Sequence, residues 1–222
     1  MRRIAISDIH GCLKTFYTLL LEIKFSKQDQ LFLIGDYIDR GPDSKGVIDY
    51  IWQLQQSGYS IFCLRGNHEQ MLIDEINKTN TWYDGEVRTL KSFDVSKNED
   101  IPVKYIEWMR QLGYFLEVDN YILVHAGLNF KIKNPLEDTH EMLWIRHFES
   151  EINKEWLGDR IILHGHTPTK QSVIEQSLEN LHKMPSLCID NGCSFQSSGL
   201  GHLIAFDMTN HTLYFQECVD EV

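Results

Sequence analysis

Five short stretches carry side chains able together to hold divalent cations and move a proton: Asp8 with His10; Asp36, Asp39 and Arg40; Asn67 with His68; His125; and His164 with His166. Hard carboxylate oxygens mixed with imidazoles and one carboxamide, without thiolates, suit Mn, Fe or Zn in an oxygen and nitrogen shell rather than a thiolate-rich structural zinc site. The donors outnumber what one tetrahedral ion uses. Two ions bridged by a shared carboxylate account for the surplus, and such pairs clamp transferring phosphoryl groups. Taken singly, each stretch has a plainer reading. Asp8 with His10 can cap a strand, Asp36 and Asp39 stand where a turn before Pro42 uses Asp, and one buried histidine usually packs. Independent turns give no reason for metal-type donors to recur in this order at the end of one apolar run after another.

Those runs are the elements that must position the donors. RIAIS, LFLIG, SIFCLRG, YILVHAG, RIILHGH, SLCIDNG, HLIAFD and TLYFQE predict eight strands. Between the first three lie helical spacings: Leu13, Phe16, Tyr17, Leu20 and Leu21, then Val47, Ile48, Ile51, Trp52 and Leu54. The opening is therefore βαβαβ, with parallel strands and right-handed crossovers. Beyond Val124 the pattern turns β-rich. The expected class is α/β (α+β): two packed mixed β-sheets flanked by helices. In open α/β sheets the carboxyl ends of strands are where ligands bind, and the donors fall there. One domain spanning 1–222 is expected, with the polar, charge-mixed interval 77–103 as an insertion or lid. In it Trp82, Tyr83 and Arg88 are candidates to face substrate or to pack.

Composition narrows the partners. With 42% hydrophobic and 24% charged residues the chain reads as ordinary globular protein. A formal charge of -11 weighs against nucleic acid, which basic surfaces hold, although bound divalent cations reverse the sign locally. The apolar start of MRRIAIS breaks at Ser7 and Asp8, and no run of 18 apolar residues follows, so no membrane partner and a cytoplasmic location are expected. Cys12, Cys63, Cys188, Cys193 and Cys218 are an odd set without a CxxC pair, which fits reduced thiols acting as small buried hydrophobes. Cys188 and Cys193 flank Asp190-Asn191-Gly192, but no second pair completes a tetrahedral site.

Set in order, SDIHG (7–11), GDYIDRG (35–41), RGNHEQ (65–70), HAG (125–127) and HGHTP (164–168) resemble the motifs of the calcineurin-like metallophosphoesterases. Within them the closer likeness is to the phosphoprotein phosphatases of bacteria and phages. RGNHEQMLID, LWIR (143–146) and the closing CIDNG look like the lambda phage phosphatase branch. The likeness runs nearly end to end. Two departures stand out: Ser7 replaces a family Gly, outside the ligand set, and Asn191 replaces a Thr in IDNG, which weighs against a role of that loop in substrate contact.

The resemblance implies two divalent metal ions, Mn first with Fe or Zn as alternatives. Asp8 and His10 hold one, Asn67, His125 and His166 the other, and Asp36 bridges. His68 protonates the leaving oxygen while Asp39 orients it and raises its pKa. Arg40 and Arg146 clamp nonbridging phosphate oxygens. Glu69 is expected to favour a helix start, His164 to pack, and Tyr37 and Ile38 to act as spacers. The implied reaction is one-step hydrolysis by a metal-bridging hydroxide, on a phosphorylated protein as a serine/threonine phosphatase, or on a small phosphoester. The nearest rival is the symmetrical diadenosine tetraphosphatases, which typically lack the second Asp of GDxxDRG, here Asp39. A noncatalytic scaffold would be free to lose donors that this chain keeps.

Overall fold

Alternation of apolar residues along the strands sets the layering. In the computed structural model, which describes residues 1–78 and 87–222, the chain runs through β1 (Arg3–Ile6), α1 (Leu13–Glu22), β2 (Gln30–Leu33), α2 (Ser44–Gln56), β3 (Ser60–Cys63) and α3 (Asn67–Ile76). There follow α4 (Val87–Ser92), α5 (Val103–Gln111), β4 (Phe115–Val118), β5 (Tyr121–Val124), and the single turns α6 (Glu141–Trp144) and α7 (Lys154–Leu157). The chain closes with β6 (Ile161–His164), α8 (Gln171–Glu179), β7 (Ser186–Cys188), β8 (His202–Asp207) and β9 (Thr212–Glu217). One sheet has the order β3-β2-β1-β8-β9 and the other β4-β5-β6-β7. β1, β2 and β3 are parallel, as are β5, β6 and β7, while β8, β9 and β4 pair antiparallel. The two mixed sheets flanked by helices match the expected class.

Ile4, Ile6, Leu31 and Leu33 pack on Phe16, Leu19, Val47, Ile48 and Ile51 of the helices outside the first sheet. Their neighbours Ala5 and Phe32 point the other way and meet Leu123, Leu163 and Leu187 between the sheets. Ile122, Val124 and Ile162 then bury the outer face of the second sheet beneath Met142, Phe148 and Leu157. Strands covered on both faces read as continuous apolar runs, which is why they are conspicuous in the sequence. Each fully buried Ile or Leu contributes about 1.5–3 kcal/mol.

Among the described residues there are nine strands, one more than the eight expected. The addition, β4, is a four-residue, mostly half-buried strand joined to β5 through Asp119 and Asn120, with Asp119 at φ 52°. Two-residue turns of this kind need a residue that tolerates positive φ, and Asp-Asn is such a signal. Partial burial gives FLEV less apolar contrast than its neighbours.

The sheets are joined at both ends of their strands. At the amino end, Arg3 pairs with Asp119 of the β4–β5 turn, while within the first sheet Arg2 holds Asp29 just before β2 at 2.8 Å. At the carboxyl end the joining groups are the candidate site residues themselves. No helix among the described residues is long and apolar enough to cross a membrane.

Candidate active site

The site is built on strained loops. Asp8, His10, Asp36, Asp39, Arg40 and His166 have φ angles of 53°, 47°, 57°, 71°, 65° and 69°, six of the twelve non-glycine residues with positive φ among those described. Each such conformation costs about 1–3 kcal/mol and persists only when surrounding contacts over-determine it. Buried Glu69 supplies many of those contacts. Its carboxylate accepts from the backbone N–H of Asp36 (3.0 Å), Tyr37 (2.8 Å), Ile38 (3.3 Å) and Gly66 (2.9 Å). Only the Gly66 bond belongs to a helix start; the other three hold the GDYID loop, so the expected role of Glu69 is widened. Burial, with Asp36 acting in the same direction, pushes its pKa up to about 7. The available signal was its place three residues after a glycine cap, where a carboxylate has lone pairs to spare.

Tyr37 and Ile38 do more than space the loop. The fully buried Tyr37 hydroxyl lies 2.8 Å from the carbonyl of Leu64 and 3.0 Å from that of Leu33, fastening the loop to the ends of β2 and β3. The Ile38 carbonyl accepts from His10 Nδ1 at 2.8 Å. Two motif glycines allow the loops to close: a Cβ on Gly66 would stand 2.1 Å from Asp36 Oδ1, and one on Gly165 would stand 2.0 Å from Asp8 Oδ2.

Asp8, His10, Asp36, Asn67, His125 and His166 converge, all buried. His166 N donates to both Asp8 oxygens at 3.2 and 3.1 Å, tying the second sheet to the first, and Ser7 Oγ donates to Asp8 Oδ2. The Ser7 departure thus adds a bond to Asp8. His10 spends its Nδ1 proton on the Ile38 carbonyl, so Nε2 turns a lone pair toward Asp36 Oδ2 at 3.4 Å. His125 likewise donates from Nδ1 to the Ile34 carbonyl at 3.0 Å, leaving Nε2 2.9 Å from Asn67 Oδ1 and 3.4 Å from Asp36 Oδ1. His166 Nε2 is buried without a hydrogen-bond partner.

Lone pairs facing lone pairs in a buried cage need cations among them, and these residues fit divalent metal ions. Two trios, His10-Asp36-His68 and Asp8-Asp36-His125, each bring their donor atoms within 4.8 Å of one another, and Asp36 is common to both. Burial holds His10 well below the usual histidine range and, with His125, takes His166 down to about 3, the neutral form that ligates. Burial also raises the Asp8 pKa, and the neighbouring Asp36 adds to the rise.

His68 stands beside this cage, paired with Asp39. Nδ1 donates to Asp39 Oδ2 at 2.7 Å, and Nε2 lies 3.9 Å from Asp36 Oδ2. Burial disfavours its charge, but Asp36 and the bond to Asp39 outweigh burial and push the pKa up to about 9. Thr89 of α4 donates to the other Asp39 oxygen at 2.6 Å, and Ser44 Oγ and Thr89 Oγ1 both accept from Asp39 N. Thr89 lies in the 77–103 interval and carries no motif, so nothing in the sequence linked it to Asp39.

Arg40 donates from Nη1 to His10 Nε2 at 3.0 Å, and its Nη2 lies 3.2 Å from His68 Nε2, with its guanidinium 5.2 Å above the ring of Phe195. Phe195 is a neighbour the sequence did not reveal. Exposed Arg146 donates to Thr167 Oγ1 at 2.9 Å, next to His166. Arg88 is spent on the carbonyls of Arg40 and Glu221, at 2.9 and 3.1 Å, rather than turned to a substrate. Trp82 and Tyr83 lie outside the described residues. Asn191 is buried and its amide donates to the carbonyls of Thr169 and Gly199, both at 2.9 Å, so it ties loops together. His164 packs on Phe148 with ring centroids 5.1 Å apart.

Comparison with known proteins places the chain in a family. Identity of 29% over 217 residues, 86% of this chain and 83% of the relative, links it to an asymmetrical bis(5'-nucleosyl)-tetraphosphatase of Oceanobacillus iheyensis. A symmetrical bis(5'-nucleosyl)-tetraphosphatase of Pseudomonas syringae pv. tomato is 28% identical over 141 residues, 62% of this chain and 45% of the relative. The chain spans about half the length of the symmetrical relatives it matches. In fold it is similar to a crystal structure described as a candidate diadenosine tetraphosphatase, with a TM-score of 0.69, 21% identity, and coverage of 97% of this chain and 93% of that one. The profile of the calcineurin-like phosphoesterases matches residues 1–199, which carry every donor described above, and the chain belongs to that metal-dependent family.

Proposed function

We propose that the protein is a dimetal phosphohydrolase of small phosphate esters and anhydrides, with dinucleoside tetraphosphates as the leading substrate class. The observation that carries the chemistry is the pair of donor trios sharing Asp36, with the His68–Asp39 pair alongside. Asp8, His10, Asp36, Asn67, His125 and His166 hold two divalent cations, and manganese suits their oxygen and nitrogen donors. Such cations supply Lewis acidity toward phosphoryl oxygens and lower the pKa of water. Arg40 and Arg146 bind the nonbridging oxygens, Arg40 exchanging its two imidazole contacts for phosphate. His68 delivers a proton from Nε2 to the oxygen that leaves phosphorus, while Asp39 keeps the ring oriented through Nδ1. The new bond to phosphorus comes from water, so no covalent phosphoenzyme forms.

The substrate reading rests on the relatives. The asymmetrical tetraphosphatase aligns over most of both chains and moves the balance away from the phosphoprotein that the motifs alone favoured. A phosphoprotein phosphatase remains the second reading, because the intact His68–Asp39 pair suits an alkoxide leaving group. Serine alkoxide needs a proton as it leaves; a nucleotide phosphate leaves as a stable anion. The test is kcat/KM of manganese-loaded wild type and His68→Asn on diadenosine tetraphosphate and on a phosphoserine peptide. Tetraphosphate preferred by wild type, with the variant losing less on it than on the peptide, is the expected result. AMP and ATP as products mark asymmetrical cleavage and ADP alone marks symmetrical. Preference for the peptide overturns the substrate class, and no turnover of either overturns the enzyme.

A further inference from the structure

Away from the dimetal cage, Cys12, Cys193 and Cys218 bring their sulfurs within 4.8 Å of one another, with Cys12 and Cys218 4.0 Å apart. They come from three separate segments: the loop entering α1, the loop after β7, and the end of β9. We infer that these three thiols form a binding site for one thiophilic cation of the zinc class, distinct from the oxygen and nitrogen cage.

The spacing carries the inference. With zinc–sulfur bonds of about 2.3 Å, tetrahedral geometry sets the sulfurs about 3.8 Å apart, so the trio contracts by no more than about an ångström to close on an ion. The backbone is already pinned: Cys12 N donates to the Ile9 carbonyl at 3.0 Å and Cys218 N to the Gly201 carbonyl at 2.8 Å. Cys12 and Cys193 are buried, whereas Cys218 is partly exposed and opens one side to solvent, where water completes the fourth position. Three soft sulfurs select zinc-class or cuprous ions over manganese. Binding exchanges three S–H bonds for three S–metal bonds and releases the protons to solvent; no oxidant is required. The result cross-links the loop that bears His10 to the last strand. Cys63 and Cys188 belong to other surroundings, beside Tyr37 and Thr169 respectively.

The test is a cadmium titration of the reduced full-length chain, followed by sulfur-to-cadmium charge-transfer absorbance in the ultraviolet, which nitrogen and oxygen donors do not produce. We expect a band saturating at one cadmium per chain, retained in Cys63→Ser and reduced by about a third or more in Cys218→Ser, which removes one of three sulfur ligands. Cys12→Ser is expected to behave like Cys218→Ser; should its burial prevent folding, the partly exposed Cys218 site carries the comparison, with circular dichroism reporting the fold. Native-state alkylation counted by mass should show Cys218, the partly exposed thiol of the three, protected by cadmium in wild type. Absence of the band, a band unchanged in Cys218→Ser, or a disulfide between two of the three in freshly isolated protein overturns the proposal.

Discussion

The two ends of the same strands handle charge in opposite ways. At the amino end, carboxylates are paired with guanidinium groups: Arg2 with Asp29 and Arg3 with Asp119. At the carboxyl end, Asp8 and Asp36 are buried against imidazoles whose lone pairs face them, on backbone held at positive φ. One end is complete as folded. The other concentrates buried negative charge, which a bound cation would offset, on strained backbone, the usual conflict between stability and function. The same substitution, carboxylate to amide, should therefore have opposite consequences at the two ends.

Asp8→Asn gives the largest expected effect. Loss of a ligand should lower kcat/KM by about a thousandfold, at the upper end of what a single lost electrostatic contact costs. Yet the metal-free protein should hold its urea midpoint or gain, because burial raises the Asp8 pKa. A carboxylate with a raised folded pKa is fully favourable only below its unfolded pKa and loses that contribution as pH rises through the folded value. At neutral pH an ionised Asp8 is thus a burden that asparagine removes. A clear fall in the metal-free midpoint would break the comparison.

Glu69→Gln sharpens it from within the functional end. Here the carboxylate is satisfied by four backbone N–H groups, so an amide nitrogen facing some of them should cost about 2–4 kcal/mol in denaturant unfolding. Loss of activity should accompany it as the GDYID loop relaxes. Stability equal to wild type would remove Glu69 as the loop's anchor. Next in size, Arg40→Ala should cost about a hundredfold in kcat, as for one transition-state donor. Arg146→Ala should cost no more, since Arg146 is the more exposed of the two. Rates within threefold of wild type would exclude a phosphate clamp.

How much of this was legible in the sequence depends on where the partners lie along the chain. Asp8, Asp36, Asn67, His125 and His166 each follow a conspicuous apolar run, so residue type and position point to the carboxyl ends of the strands. Glu69 was legible as a helix-start residue but not as a loop anchor, because three of its bonds go to a loop some thirty residues earlier. Thr89, fifty residues from Asp39, and Phe195 beneath Arg40 carry no motif, and only the packed structure pairs them. The thiol trio was hidden for the same reason: Cys12 and Cys218 stand at opposite ends of the chain and meet where β9 returns beside α1. Contacts made within a strand–loop unit leave a local pattern; contacts made by closing the sheets do not.

Asp29→Asn, at the amino end, is the smallest effect and the other half of the comparison. Asp29 accepts from Arg2 Nε at 3.1 Å and Nη2 at 2.8 Å, and from Ser26 N at 2.9 Å and Oγ at 3.0 Å. The bond to Arg2 takes its pKa down to about 2 even though burial opposes the charge. A depressed folded pKa contributes stability that is fully present above the unfolded value, about 3.9, and is lost as pH falls through the folded one. With Arg2 partly solvent-screened, the contribution is about 1–2 kcal/mol rather than the full linkage figure. Asp29→Asn should therefore lower the urea midpoint at pH 7, and the gap from wild type should narrow between pH 4 and pH 2 as Asp29 takes up its proton. A gap that stays constant across that interval would mean that the pair contributes through packing alone, and charge at this end would then carry none of the stability that its geometry implies.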